Sequence, residues 1–161
     1  MDNGTKAQFS RPPARMGPRP KTRRSLPYLQ LDQWPPADIL DELIRRSLTL
    51  PYVHHWESRM ATRGTSAMRL SEEAAHGPIE AFIDDHEFCH IHPLPEGTIH
   101  MVLPAPFRNQ VVNLGWAEPH PLAGGACPET LVVVYAPRNR DELDTVWTLI
   151  HTAYDFAQGL C

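Results

Sequence analysis

Cysteine is scarce in this chain. There are three, Cys89, Cys127 and Cys161, an odd number with no CxxC among them. No disulfide framework is expected, and a reducing compartment is the better fit. No run of about 18 apolar residues occurs, so no ordinary membrane-spanning helix is expected. The first residues also lack the apolar stretch of a secretory signal. The expectation is a cytoplasmic protein with no membrane partner. GxGxxG, P-loop, GxSxG and HExxH motifs are missing too, which removes the dinucleotide, nucleotide-phosphate, serine-hydrolase and zincin readings that rest on them. Positive charge is thin over most of the chain. Residues 31–161 hold eight Lys and Arg against 18 Asp and Glu, a net charge of -10. Nucleic-acid binding needs clustered bases to neutralise phosphates, so no nucleic-acid partner is expected.

The remaining bases crowd the start of the sequence. Residues 1–30 carry seven of the 15 Lys and Arg with one acid, Asp2, and residues 1–36 carry seven prolines with almost no periodic apolar pattern. Such a stretch buries too little surface to offset the entropy of ordering it. Residues 1–36 therefore read as a disordered Pro/Arg-rich arm, in which Leu26 to Leu31 could dock on the domain. Residues 37–161 read as one folded domain, a size that can shelter a small-molecule site.

Within that domain, Ile39, Leu40, Leu43, Ile44 and Leu48 recur at helical spacing up to Pro51. Strands are expected over 65–70, 80–92, 98–103 and 130–135, with a short helix over 106–114. A final helix starts at Asn139, which can cap it with Glu142 as capping-box partner. Leu143, Val146, Trp147, Ile150, Tyr154 and Ala157 form its inward stripe, and Gly159 lies just past its end. This order implies an α+β fold, a mainly antiparallel sheet with helices packed on one face.

The chemistry-bearing feature is a set of histidines. His90 and His92 lie two apart in an expected strand and share a face, with His86 and Phe88 beside them and Ile83, Cys89 and Ile91 opposite. If pairing is symmetric about the five-residue loop 93–97, residue 90 opposes residue 100, and His90 and His100 become cross-strand neighbours. His120 sits between Pro119 and Pro121, on a stiff segment suited to presenting one side chain. Trp116 could wall the same pocket, and Glu118 could orient an imidazole. Imidazoles serve either as ligands of a first-row divalent metal or as acids and bases near neutrality. His54 and His55 read as loop histidines, His151 as structural, Cys89 as core, and Cys127 as a loop cysteine without a base partner.

The stretches EFCHIHPLPEGTIHMVLP, GWAEPHPLA and VVVYAPRNRDELDTVWTLIHTAYDFA, with SRMATRGTSAMRL before them, resemble the luciferase domain family over about residues 50–158. Cys89 departs from the small residue expected there, and the N-terminal arm lies outside the pattern. The resemblance implies oxygen-dependent chemistry on an organic substrate. It places the family motif on His90, His92, His100, Trp116, Glu118, His120 and Tyr154. Taken together, the catalytic candidates are His90, His92, His100, His120 and Glu118, with Phe88, Trp116 and Tyr154 as substrate contacts and the four histidines as metal ligands. The leading reading is a small-molecule enzyme, metal-assisted or acid–base, carrying out oxidation, isomerisation or cyclisation. A non-catalytic ligand- or metal-binding module and a protein-interaction domain stand as alternatives.

Overall fold

The computed structural model describes residues 9–161. Apolar residues at helical spacing form α1 (Ala37–Leu48) and α3 (Arg140–Ala157). Between them come β1 (Val53–Glu57), β2 (Ser66–Leu70), a single 3-10 turn (Ile79–Ala81), β3 (Glu87–Ile91), β4 (Ile99–Val102), α2 (Ala105–Asn113), β5 (Ala117–Pro119) and β6 (Leu131–Val134). The strands form one sheet in the order β1-β2-β3-β4-β6-β5, with every neighbouring pair antiparallel. The fold is α+β in one compact domain. Helix α1 packs on β1 and β2 while α3 packs on β3 and β4.

Local chemistry accounts for the boundaries. Asn139 caps α3, its side chain accepting from the Glu142 N–H at 3.0 Å. The Glu142 carboxylate reaches back one residue further than a capping box does, to the Arg138 N–H at 2.8 Å. Leu143, Val146, Leu149, Ile150 and Ala153 form the buried stripe of α3; Trp147, expected inward, is only half-buried. Strand β3 is shorter than the expected 80–92, because residues 79–86 form the 3-10 turn and a tight bend with positive φ at Asp85 and His86. Two short strands were not legible as such. His54 and His55 lie on the exposed edge strand β1, and β5 holds Ala117 to Pro119.

The largest departure from expectation is the N-terminal segment. The disorder expected for 1–36 does not describe residues 9–36, which pack on the domain; residues 1–8 lie outside the described residues. Lys21 to Arg23 pair with Leu29 to Leu31, through Arg23 N–H to Leu29 O at 2.9 Å and Leu31 N–H to Lys21 O at 2.7 Å. Gln30, fully buried, anchors this hairpin. Its N–H donates to Thr98 Oγ1 at 2.9 Å, its Oε1 accepts from the Ala136 N–H at 2.8 Å, and its Nε2 donates to the Asp32 and Gln33 carbonyls. Arg19 donates to the Ala117 carbonyl at 2.7 Å, and the Trp116 indole to the Pro13 carbonyl at 2.7 Å. Composition misled here because the segment is held by specific polar contacts, which leave no apolar periodicity. No helix of the described residues is long and apolar enough to cross a membrane.

A buried N–H that loses its acceptor costs about 1–3 kcal/mol. Gln30→Ala strands the Ala136 N–H and is expected to lower unfolding stability by at least that much in urea titration. A loss under about 0.5 kcal/mol would show that the segment is not part of the folded unit.

Candidate metal centre and its cavity

The ladder between β3 and β4 pairs Cys89 with Met101, His90 with His100, and Ile91 with Ile99. The apolar members face α3. His90 and His100 face the other way, and His92, just past the strand, joins them. Their ring centroids lie 4.8 Å (His90 to His100), 4.8 Å (His92 to His100) and 5.2 Å (His90 to His92) apart. His120, delivered from the end of β5, adds a fourth ring 4.9 Å from His100. All four are buried.

Each ring turns one nitrogen to a fixed protein partner. His90 Nδ1 donates to Glu87 Oε1 at 2.6 Å, and the same carboxylate accepts from the Ser58 hydroxyl at 3.1 Å. His92 Nδ1 meets the hydroxyls of Thr62 and Thr65 at 3.1 and 3.3 Å. His100 Nε2 donates to the Tyr28 carbonyl at 2.9 Å, and His120 Nδ1 accepts from the Leu122 N–H at 3.1 Å. The inward nitrogens are then His90 Nε2, His92 Nε2 and His100 Nδ1. One nitrogen from each of these three rings lies within 4.8 Å of the others, close enough to share one ion. His90 Nε2 and His100 Nδ1 are 2.9 Å apart, and both rings donate outward from their other nitrogens. His92 Nε2 is buried without any hydrogen-bond partner, on a side chain only 1% exposed.

The cluster floors a cavity of about 510 Å3. Leu26, Pro27, Met60, Ile83, Leu122 and Leu131 give it apolar walls, and Arg59, Thr62 and Cys127 also line it. Pockets of this volume accept molecules of drug-like size.

A luciferase domain family model matches residues 85–153, the stretch that carries β3, β4 and most of α3. Residues 85–153 are thus similar to luciferase domains. Curated luciferases of two Armillaria species are similar over most of the chain. That of Armillaria gallica is 30% identical over 162 aligned residues, covering 89% of this chain and 60% of the relative. That of Armillaria mellea is 29% identical with the same coverage. The luciferase of Neonothopanus nambi is 32% identical over 73 residues, covering 44% of this chain and 27% of the relative. The chain thus spans about 60% of the length of the Armillaria relatives. No solved structure matches it.

The fold brings His90, His92, His100 and His120 together and leaves the other expected site residues elsewhere. Phe88 was expected on the histidine face. The β2–β3 register shifts between Met68 and Arg69, pairing Cys89 with Met68 but Glu87 with Arg69, so Phe88 is an extra, bulged residue. The bulge sends Phe88 to the helix side, 6.0 Å from the Tyr154 ring, and brings Glu87 to His90. Tyr154 is on that same helix side, its hydroxyl donating to the Pro51 carbonyl at 3.1 Å. Trp116 is buried against the N-terminal segment, and Glu118 accepts from the Tyr135 hydroxyl at 3.1 Å rather than from an imidazole. Neither borders the cavity. Ile83, expected opposite the histidines, lines it instead, because the bend at Asp85 and His86 reverses the chain before β3. His54 and His55 stand apart on β1, and His151 is exposed on α3. Sequence reasoning missed Glu87 and Tyr28. No spacing rule marks a backbone carbonyl, and the bulge that turns Glu87 inward leaves no residue signature.

Burial favours the neutral form of His92, His100 and His120. His92 is lowered to about 3, by burial first and then by His90 and His120. His120 is lowered to about 4, by burial and then His90. Burial, then His90, His92 and His120, hold His100 well below the ordinary 6.5, against the opposing pull of its bond to Tyr28. The unfolded chain therefore binds protons that the folded chain refuses. Stability is complete above about pH 6.5 and is lost as pH falls toward 4 and 3. Chelator-treated protein is expected to be less stable at pH 5 than at pH 7 by roughly 2 kcal/mol or more in urea titration. Equal stability at the two pH values would contradict a buried neutral cluster.

Proposed function

We propose that this chain is an enzyme that oxidises a small, largely apolar organic molecule, using a first-row divalent metal ion held by His90 Nε2, His92 Nε2 and His100 Nδ1. The observation that carries the metal is His92 Nε2, a buried nitrogen with no partner, on one of three rings that each bring a nitrogen within 4.8 Å of the others. A buried polar atom without a partner costs free energy unless a ligand fills the gap. The surroundings fit an ion as well. Ligating histidines are commonly oriented by a carboxylate or carbonyl on their far nitrogen, as Glu87 and the Tyr28 carbonyl are here.

Oxidation is supported by the match to a luciferase domain family model and by relatives that bear the name luciferase. Three protein ligands leave positions open on such an ion, which supplies Lewis acidity or one-electron chemistry toward substrate and dioxygen. The chain's own residues do the rest. Neutral imidazoles hold the ion, Glu87 and Tyr28 fix their ring orientation, and the apolar walls bind the substrate and exclude water. The hydrogen-bonded series Glu87–His90–His100 favours a second reading, acid–base catalysis at the same site without an ion.

Protein purified without a histidine tag is expected to carry a first-row divalent metal, about one per chain, by elemental analysis. His92→Ala should weaken binding by more than the roughly 10- to 100-fold typical of an outer partner. Affinity should hold at pH 6 and fall only as the pH drops toward 3, where protons compete with the ion for His92. Oxygen uptake with a library of apolar oxygen-bearing compounds should show turnover that His92→Ala abolishes. Metal-free protein that still turns over would install the acid–base reading.

A further inference from the structure

The four histidines are not equivalent, and the difference lies in their hydrogen bonds. His90 and His100 each give a proton outward, from Nδ1 to Glu87 and from Nε2 to the Tyr28 carbonyl. A neutral ring that donates from one nitrogen leaves the other bare, ready to ligate. His120 does the reverse. Its Nδ1 accepts the Leu122 N–H at 3.1 Å. A nitrogen that accepts cannot also carry a proton, so the proton of this ring sits on Nε2. That nitrogen makes no hydrogen bond among the described residues, and the ring lines the cavity beside the cluster. The group of rings able to share one ion contains His90, His92 and His100 without His120.

We infer that His120 is the hydrogen-bond donor that positions a substrate oxygen beside the metal, and is not a ligand of the ion. The inference rests on the metal reading above for its partner, but the tautomer stands on its own. The Tyr28 and His100 rings, each 4.9 Å away and steeply inclined to it, pack against the imidazole. The segment after Pro121 folds back so that Leu122 N–H reaches Nδ1, and Ala123 N–H bonds the His120 carbonyl at 2.9 Å. The turn thus fixes the tautomer from the backbone. A substrate whose oxygen carries partial or full negative charge would bind the ion with that oxygen and accept from His120 Nε2–H. This is the hydrogen-bond arrangement that holds an enolate or carboxylate oxygen in place.

The test uses the full chain labelled with 15N and long-range proton–nitrogen correlation spectra at pH 7, with and without zinc. His120 is expected to show a protonated Nε2 and a bare Nδ1 in both spectra, while His90, His92 and His100 move on zinc addition. A protonated Nδ1, or a His120 Nε2 resonance that shifts to the metal-bound range, overturns the inference. Zinc affinity of His120→Leu and His120→Gln, measured by chelator competition, should stay within about twofold of wild type. Release of zinc from both would make His120 a ligand. Acetohydroxamate, as a metal-binding oxyanion probe, should bind zinc-loaded His120→Leu about 10- to 100-fold more weakly than wild type, the scale of one hydrogen bond to a charged group. His120→Gln, which keeps an N–H donor, should recover part of that loss; equal affinity in all three proteins overturns the donor role. Wild-type protein that binds no zinc would defeat the metal reading instead, with the tautomer result still deciding whether His120 is a donor.

Discussion

The site depends on one cross-strand pair, His90 opposite His100. A slip of one residue between β3 and β4 would carry His100 to the helix side and leave no cluster. What prevents the slip is the other face of the same strands. Cys89, Ile91, Ile99 and Met101 are fully buried under the helices, so a shifted register would put apolar side chains in the polar cluster and imidazoles in the core. The turn adds a second lock. Gly97 has φ +60, and a Cβ there would meet Pro35 at 2.5 Å, so the hairpin tip must be glycine and must sit against the start of α1.

Burying four imidazoles is costly unless their polar atoms are satisfied. The structure meets that cost from outside the cluster, with a carboxylate, two threonine hydroxyls, a carbonyl and a backbone N–H, one set for each ring. The β-bulge at Phe88 serves both faces at once. It gives the helix side an aromatic ring to pack on Tyr154, and it gives His90 a carboxylate that regular alternation would have placed elsewhere. Among the fully enclosed nitrogens of the four rings the unpartnered His92 Nε2 is the exception, and it belongs to the three rings close enough to share one ion.

The parts of this arrangement written in periodicity were legible beforehand. The helical stripes of α1 and α3, the Asn139 cap and the hairpin parity that opposes His90 to His100 all follow from spacing. Phe88 was misplaced because parity counting assumes a regular strand, and a bulge adds a residue without any composition to announce it. Residues 9–36 were read as unstructured because their contacts are single hydrogen bonds from Arg19, Gln30 and backbone carbonyls to distant positions. Such contacts depend on tertiary structure and leave no local trace. Trp116 and Glu118 were drawn into the site by their nearness to His120 in sequence. Strand parity gives Trp116, Glu118 and His120 one face, but Trp116 is bonded to Pro13, Glu118 to the Tyr135 hydroxyl, and only His120 reaches the cavity.

The N-terminal segment then does more than cover a sheet face. Its hairpin is fixed to the core by Gln30, and two residues earlier Tyr28 supplies both the carbonyl that sets the His100 tautomer and the ring that borders His120. Leu26 and Pro27 close the cavity wall beside them. The same few residues therefore set which nitrogen of His100 faces inward and how dry the space above it is. In a dry space, an ion or an oxyanion interacts with its surroundings far more strongly than in water. A chain that kept all four histidines but lost residues 26–30 would retain the residue types of the cluster without the carbonyl that orients His100 or the apolar wall of Leu26 and Pro27. Site chemistry in this fold is as much a property of the segment before α1 as of the strands that carry the imidazoles.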